Sequence, residues 1–302
     1  MLASLFFHLL LLLGLSPLLA GIINRVKAKV GGRRGQPLLQ LYFDLAKLFR
    51  KRMVISATTT WLFRAGPVVG IVVPLLAALL LPLGPVPAVI SFSGDLILFV
   101  YLLGLARFFT ILAALDTGSS FEGMGAAREA TFSILVEPTI FVVFIVLARL
   151  AGDFSLNGMF VPVRAGFNTP AGIAMSLAII CLFIVLLAEN CRIPFDDPNT
   201  HLELTMIHEV MVLDHSGPDL GLILYGAAMK LLLSATLIAN LLRPATGSPL
   251  LDTLAFLAIT LLLAGAVGLV ESAMARLRLI RVPQLLIGTS LLSFLALILL
   301  LR

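Results

Sequence analysis

Between Glu189 and His215 lie six carboxylates (Glu189, Asp196, Asp197, Glu203, Glu209, Asp214), one arginine (Arg192) and three histidines (His201, His208, His215), all within 27 residues. Carboxylates and imidazoles take up and release protons, and an adjacent guanidinium holds a carboxylate ionised. The spacing narrows the chemistry. His201 with Glu203 and His208 with Glu209 do not make the HExxH pattern that sets two metal ligands on one helix face. The two cysteines, Cys181 and Cys191, form no CxxC, so neither a zinc nor an iron–sulfur framework is expected in this chain, and both read as free, buried thiols. No GxxxxGK loop and no nucleophile–base pair accompany the stretch. Such a stretch suits an electrostatic seam with a soluble partner or the mouth of a proton path. No catalytic residue, bound cofactor or metal ligand is assigned.

More ionisable residues stand inside apolar runs: Arg107, Glu137 (followed by Pro138), Lys230 and Glu271, with Glu189 closing another run. A charge in hydrocarbon is costly, so each is retained for a reason. Two readings stay open. Glu137, Lys230, Arg107 and Glu271 form fixed ion pairs that hold tilted helices together, or they belong to an ion path.

These residues must be positioned by a membrane protein. Of 302 residues, 60% are hydrophobic and 12% charged, and the mean hydropathy is +1.11. Soluble domains carry about a quarter charged residues. The net charge of +5 comes from bases clustered beside an apolar span, a pattern that points to a bilayer rather than to nucleic acid. About 20 apolar residues cross a bilayer as a helix. By that rule the chain has eight spans, 2–23, 66–83, 95–115, 131–151, 171–189, 219–242, 250–274 and 282–301, the second short and proline-rich. The first lacks a basic leader and reads as a span rather than a signal peptide. The expected fold class is all-α: a single polytopic domain over 1–302 of about eight tilted transmembrane helices plus an amphipathic helix.

The segment between the first two spans carries ten of the 21 basic residues, from Arg25 to Arg64, and Arg276, Arg278 and Arg281 lie in a loop on the same side by alternation. Positive-inside bias makes that side cytoplasmic, puts loop 190–218 there, and leaves both termini outside a multi-pass cell membrane protein. Pro37–Arg50 has helical periodicity, with Leu38, Leu41, Leu45 and Leu48 or Phe49 on one face. It is expected as the amphipathic helix, lying on the lipid or under a partner. Residues 118–130 read as a small-residue loop that lets a neighbour approach closely.

Several segments together resemble the membrane subunit of energy-converting NiFe hydrogenases, including formate hydrogenlyase, which is homologous to the quinone-site membrane subunit of respiratory complex I. Glu189-Asn190-Cys191-Arg192-Ile193-Pro194-Phe195-Asp196 is similar to the complex I motif AETNRAPFD. Leu135-Val136-Glu137-Pro138 matches the hydrogenase subunit as well, and Leu115-Asp116-Thr117-Gly118-Ser119, Gly125-Ala126-Ala127-Arg128-Glu129 and Glu271-Ser272-Ala273-Met274-Ala275-Arg276-Leu277-Arg278-Leu279 favour the hydrogenase side over complex I. The resemblance spans nearly the whole chain. It implies a subunit that anchors a soluble redox arm and couples its electron transfer to proton or sodium translocation. The implied partners are hydrogenase-like large and small soluble subunits, which carry the iron–sulfur clusters and the NiFe centre, and antiporter-like membrane subunits. The implied coupling residues are Glu137, Glu189, Asp196, Glu203, Glu209, Asp214 and Glu271, with Arg128 and Arg192 as counter-charges and Lys230 as a link to the membrane interior. Residues 197–204 depart from the formate hydrogenlyase pattern, so the electron donor need not be formate. One alternative is a complex I-type subunit with a quinone cavity between the first helix, the amphipathic helix and loop 189–217. A stand-alone ion transporter is a further, weaker alternative.

Overall fold

The computed structural model describes residues 2–160, 169–196 and 206–301, with side chains from Ser4 onward. Those residues form ten α-helices: α1 (Leu2–Val30), α2 (Gln40–Leu48), α3 (Trp61–Leu80), α4 (Asp95–Asp116), α5 (Ser120–Ala151), α6 (Leu156–Met159), α7 (Pro170–Glu189), α8 (Gly217–Leu242), α9 (Pro249–Ala273) and α10 (Arg281–Leu301). Eight are long and apolar enough to span a membrane; α2 and α6 are short. Helices are the form these runs must take, because in hydrocarbon each backbone group has to find its partner within its own segment.

The eight spans match the sequence reading, with three differences at their ends. α1 runs seven residues beyond the expected limit, to Val30, so Lys27 stands on a helix and not in a loop. α3 begins at Trp61, capped by Thr60, and keeps Pro67 and Pro74 within it. Residues 120–130 are not a loop but the first turns of the 32-residue α5. Their glycines misled the reading, because packing overrides propensity here. A Cβ on Gly125 would lie 2.4 Å from Val210 Cγ1 and 2.8 Å from the Ile207 carbonyl oxygen, so this helix face admits segment 206–212 only without a side chain. The close approach expected of these small residues is thus present.

Small residues set the spacing elsewhere. Lipid tails are as apolar as leucine, so membrane helices associate through close packing. Gly226 of α8 lies against the Gly70 carbonyl of α3, Gly66 of α3 against Ala113 of α4, and Gly268 of α9 against Val26 of α1. Pro17 removes one N–H from α1, which leaves the Leu13 carbonyl without its helical donor. Tyr225 supplies the donor at 2.8 Å, and Tyr42 of α2 donates to the neighbouring Gly14 carbonyl. The amphipathic helix is therefore tied into the bundle beside Pro17. Its buried face is narrower than expected: Leu45 is buried, whereas Leu38 and Phe49 are exposed.

The connecting segments at one end of the bundle are knitted together. Val54 pairs with Ser216, Thr60 with Asp116, the Asp214 N–H with Glu122, and the Leu277 N–H with the Pro194 carbonyl. That end carries the charged stretch.

Candidate functional site

Arg107, halfway along α4, is the centre of the site. Its Nη2 lies 2.5 Å from Glu189 Oε1, its Nη1 3.2 Å from Glu137 Oε1, and its Nε 3.6 Å from Glu129 Oε1. Lys230 of α8 reaches the other oxygen of Glu189 at 2.8 Å. One guanidinium thus joins carboxylates from α5 and α7, and Glu189 joins α4 to α8. Arg107 and Glu189 are almost wholly buried, whereas the Glu137 side chain is 43% exposed. A fork of N–H donors is needed to serve three acids at once, which an ammonium could not do in this geometry.

The chain leaves α7 through a tight reversal. The Cys191 N–H bonds the Ala188 carbonyl at 3.2 Å and the Arg192 N–H bonds the Leu187 carbonyl at 2.8 Å. This is the Schellman pattern, which normally places glycine in the left-handed position; Cys191 occupies it, at φ 49°. The turn carries Arg192 to Glu271 of α9 (3.5 Å), which Lys27 of α1 also holds at 2.9 Å. Asp196 then pairs with Arg276 at 2.9 Å and accepts the Ile207 and His208 N–H groups at 2.9 and 3.1 Å. Burial, reinforced by Glu129 and Asp196, pushes the Cys191 thiol well above its usual pKa, so it stays protonated.

A cavity of about 410 Å³ lies beneath these residues, between α1, α2, α3, α4 and α8. Arg107, Glu129, Glu189, Lys230, Arg192 and Asp196 line it, together with Asn24 of α1, Asp44 of α2, His208 and Glu209. Its remaining wall includes Ala20, Gly66, Gly70, Ala106 and Gly226, whose small size leaves the space open.

The structure thus brings together Glu137, Glu189 and Lys230 in one cluster, Arg192 with Glu271 in a second, and Asp196 with Arg276 in a third. Of the four intramembrane charges expected to pair among themselves, Glu271 stands apart: it meets Lys27 and Arg192 instead of Arg107 or Lys230. Arg128 donates to the Met206 carbonyl at 2.8 Å and thereby fastens segment 206–212 to α5. Glu209 faces the cavity from a 3₁₀ turn, Glu209–Val212. The Asp214 side chain is exposed, and only its backbone N–H reaches a carboxylate, the buried Glu122. Glu203 lies outside the described residues. Among the described residues no group of three or more potential metal ligands occurs.

Sequence reasoning missed Glu129, Glu122 and Lys27. Glu129 is eight residues before Glu137, roughly two helical turns and so near the same face, a relation that exists only if the helix already runs through residue 129. Arg107 had been singled out as an intramembrane charge but not as the hub.

His215 gives this end a pH dependence. Its ring stacks on Phe63 with centroids 3.9 Å apart and planes 11° apart, and burial lowers its pKa from 6.5 to about 4. The opened segment binds a proton before the packed one does. The stabilisation that comes from burying the ring in its neutral form is therefore complete above pH 6.5 and is lost as pH falls through about 4, on the order of 3 kcal/mol at 1.36 kcal/mol per unit. Hydrogen exchange of residues 206–216, corrected for intrinsic rates, should show that loss, and His215→Phe should abolish it.

A family model described as NADH dehydrogenase matches residues 2–302. The chain belongs to that family. It is 36% identical over 234 residues to hydrogenase-4 component C of Escherichia coli (strain K12), covering 78% of this chain and 73% of that one. It is 33% identical over 286 residues to formate hydrogenlyase subunit 4 of the same organism, covering 91% of both. Among solved structures it is similar to a chain of the membrane-bound sulfane sulfur reductase, an archaeal respiratory membrane complex, with a TM-score of 0.83, 25% identity and 99% of each chain covered. The kinship drawn from the motifs holds: this is a multi-span membrane subunit of the hydrogenase and complex I-like kind.

Proposed function

We propose that the chain anchors a soluble redox arm at its charged end and couples electron transfer there to proton or sodium movement in neighbouring membrane subunits. The observation that carries this reading is the run of ion pairs from loop to membrane interior. It comprises three groups: Arg276–Asp196 and Arg192–Glu271–Lys27, of which Asp196 and Arg192 line the cavity, and Lys230–Glu189–Arg107–Glu137, which reaches midway along α5. Charges so far inside hydrocarbon are costly, and pairing that only fastened helices would not need a half-exposed carboxylate at its inner end, as Glu137 is. The relatives' names are those of parts of multisubunit complexes, which supports partner subunits in general; the partners in this reading, taken from the motif resemblance, are hydrogenase-like large and small subunits and antiporter-like membrane subunits. Iron–sulfur clusters and a NiFe centre would belong to those soluble partners, with no active site in this chain. The basic residues of 25–64 favour a cytoplasmic charged end, with both termini outside the cell membrane.

Glu137 tests the assignment best, because Glu137→Gln leaves Arg107 two carboxylate partners. The variant complex should assemble normally and lose ion translocation at least tenfold, equivalent to about 1.4 kcal/mol on the transfer step. Inverted membrane vesicles would report ion uptake against redox turnover; unchanged uptake at full turnover sinks the reading.

One observation favours a second reading. The cavity lies between α1, α2 and residues 189–196, where a quinone pocket was expected for a complex I-type subunit. Inhibitor-sensitive electron transfer to an added quinone would decide for it.

A further inference from the structure

We propose that the connection between α2 and α3 is a binding site for anionic phospholipid headgroups, an assignment independent of the coupling role above. Between Asp44 and Asp95 the chain has five basic residues, Lys47, Arg50, Lys51, Arg52 and Arg64, and no acid. All five are exposed, and none takes part in an ion pair among the described residues. Four cations set among the helices, Lys27, Arg107, Arg192 and Lys230, each hold a carboxylate.

The segment is held in place although none of its cations is in an ion pair among the described residues; only Arg64 feels a nearby acid, Asp219. Ser216 Oγ accepts the Val54 N–H at 3.0 Å and donates to the Val54 carbonyl at 3.1 Å. The Arg52 carbonyl oxygen comes within 2.7 Å of where a Cβ on Gly217 would be, so the backbone rests directly on the start of α8. At the far end Asp116 accepts the Thr60 N–H and hydroxyl at 2.6 and 2.8 Å. A fixed backbone presents the cations at little ordering cost to a ligand.

Depth selects the ligand. Trp61, the first residue of a membrane-spanning helix, is 70% exposed, and Phe43 and Val54 are exposed beside the cations. An indole at the mouth of a span, with bases around it, matches the boundary where headgroup phosphates meet acyl chains. Arginine forks and lysine points both suit phosphate oxygens. A carboxylate-rich protein surface would satisfy the bases but leave the exposed Trp61 and Phe43 without an apolar counterpart.

The test uses the intact complex, purified in mild detergent and placed in phosphatidylcholine nanodiscs with or without phosphatidylglycerol. Native mass spectrometry would count the lipid retained. Wild type should retain phosphatidylglycerol in preference to phosphatidylcholine, and added salt should weaken the preference. The combined Arg50→Gln, Lys51→Gln, Arg52→Gln variant should lose that affinity roughly 100-fold, from three cations near an anionic surface. The Arg50→Lys, Arg52→Lys variant should stay within several-fold of wild type. If the triple variant fails to assemble, Lys51→Gln alone should still show a loss of about fivefold. Equal retention of the two lipids by wild type overturns the proposal, as does undiminished retention by the glutamine variants. Release of the soluble subunits with lipid retention intact also overturns it, and makes the patch a protein-docking surface instead.

Discussion

Arg107→Gln is expected to destabilise the chain by about 3–5 kcal/mol, the typical result of removing one partner from a buried ion pair. The effect is large because Arg107 is the one cation paired with Glu129 and Glu137 among the described residues and shares Glu189 with Lys230. Its loss leaves acids from α5 facing α4 with no cation between them. Most of the variant should be missing from the assembled complex, and the remainder should unfold at a lower temperature. Glu189→Gln in the same chain should restore part of the stability, since each change removes one side of the shortest pair. A coupling of about 1–3 kcal/mol in that double-mutant cycle is the expected signature. Full assembly of Arg107→Gln at wild-type stability would show that the cluster does not hold the helices.

Gly226→Val should be nearly as damaging for a steric reason. Even a bare Cβ at Gly226 would come within 2.3 Å of the Gly70 carbonyl oxygen and 2.9 Å of its carbon. Both atoms are backbone, so no rotamer relieves the clash and α8 must move off α3. Overpacking of this kind costs about 1–3 kcal/mol for modest insertions, and a branched side chain exceeds that. Since Gly70 and Gly226 both line the cavity, the cavity wall should open with the same displacement. The reciprocal change is the control: a Cβ at Gly70 meets nothing within 4 Å, so Gly70→Ala should leave thermal stability almost unchanged. Equal effects of the two substitutions would mean that the helices are not packed in this register.

The spans were legible because a run of apolar residues long enough to cross a bilayer has few other uses. The ends of the helices were not legible. Glycines 118, 123 and 125 look like loop punctuation, and only the approach of Ile207 and Val210 explains why Gly125 sits inside a helix. That one boundary hid Glu129. Ending α1 at residue 23 hid Lys27 in the same way. Individual charges such as Glu137, Glu189 and Lys230 stand out because hydrocarbon surrounds them. Their partners are set by contacts between α4, α5, α7 and α8, which no local spacing records. Asp214 illustrates the converse: it shares the acidic stretch with Asp196, yet its side chain points to solvent while Asp196 is buried against Arg276.

The formal charges of the two main clusters differ. Arg107 and Lys230 against Glu129, Glu137 and Glu189 give 2 − 3 = −1, while Lys27 and Arg192 against Glu271 give 2 − 1 = +1. Glu189 and Arg192, three residues apart, each belong to one of them, so the reversal after α7 joins two clusters of opposite net charge. Such an arrangement stores electrical polarisation. A single positive charge delivered to the negative cluster neutralises it and leaves the other unbalanced, so an event of one elementary charge at the cavity alters the field along the whole of α7.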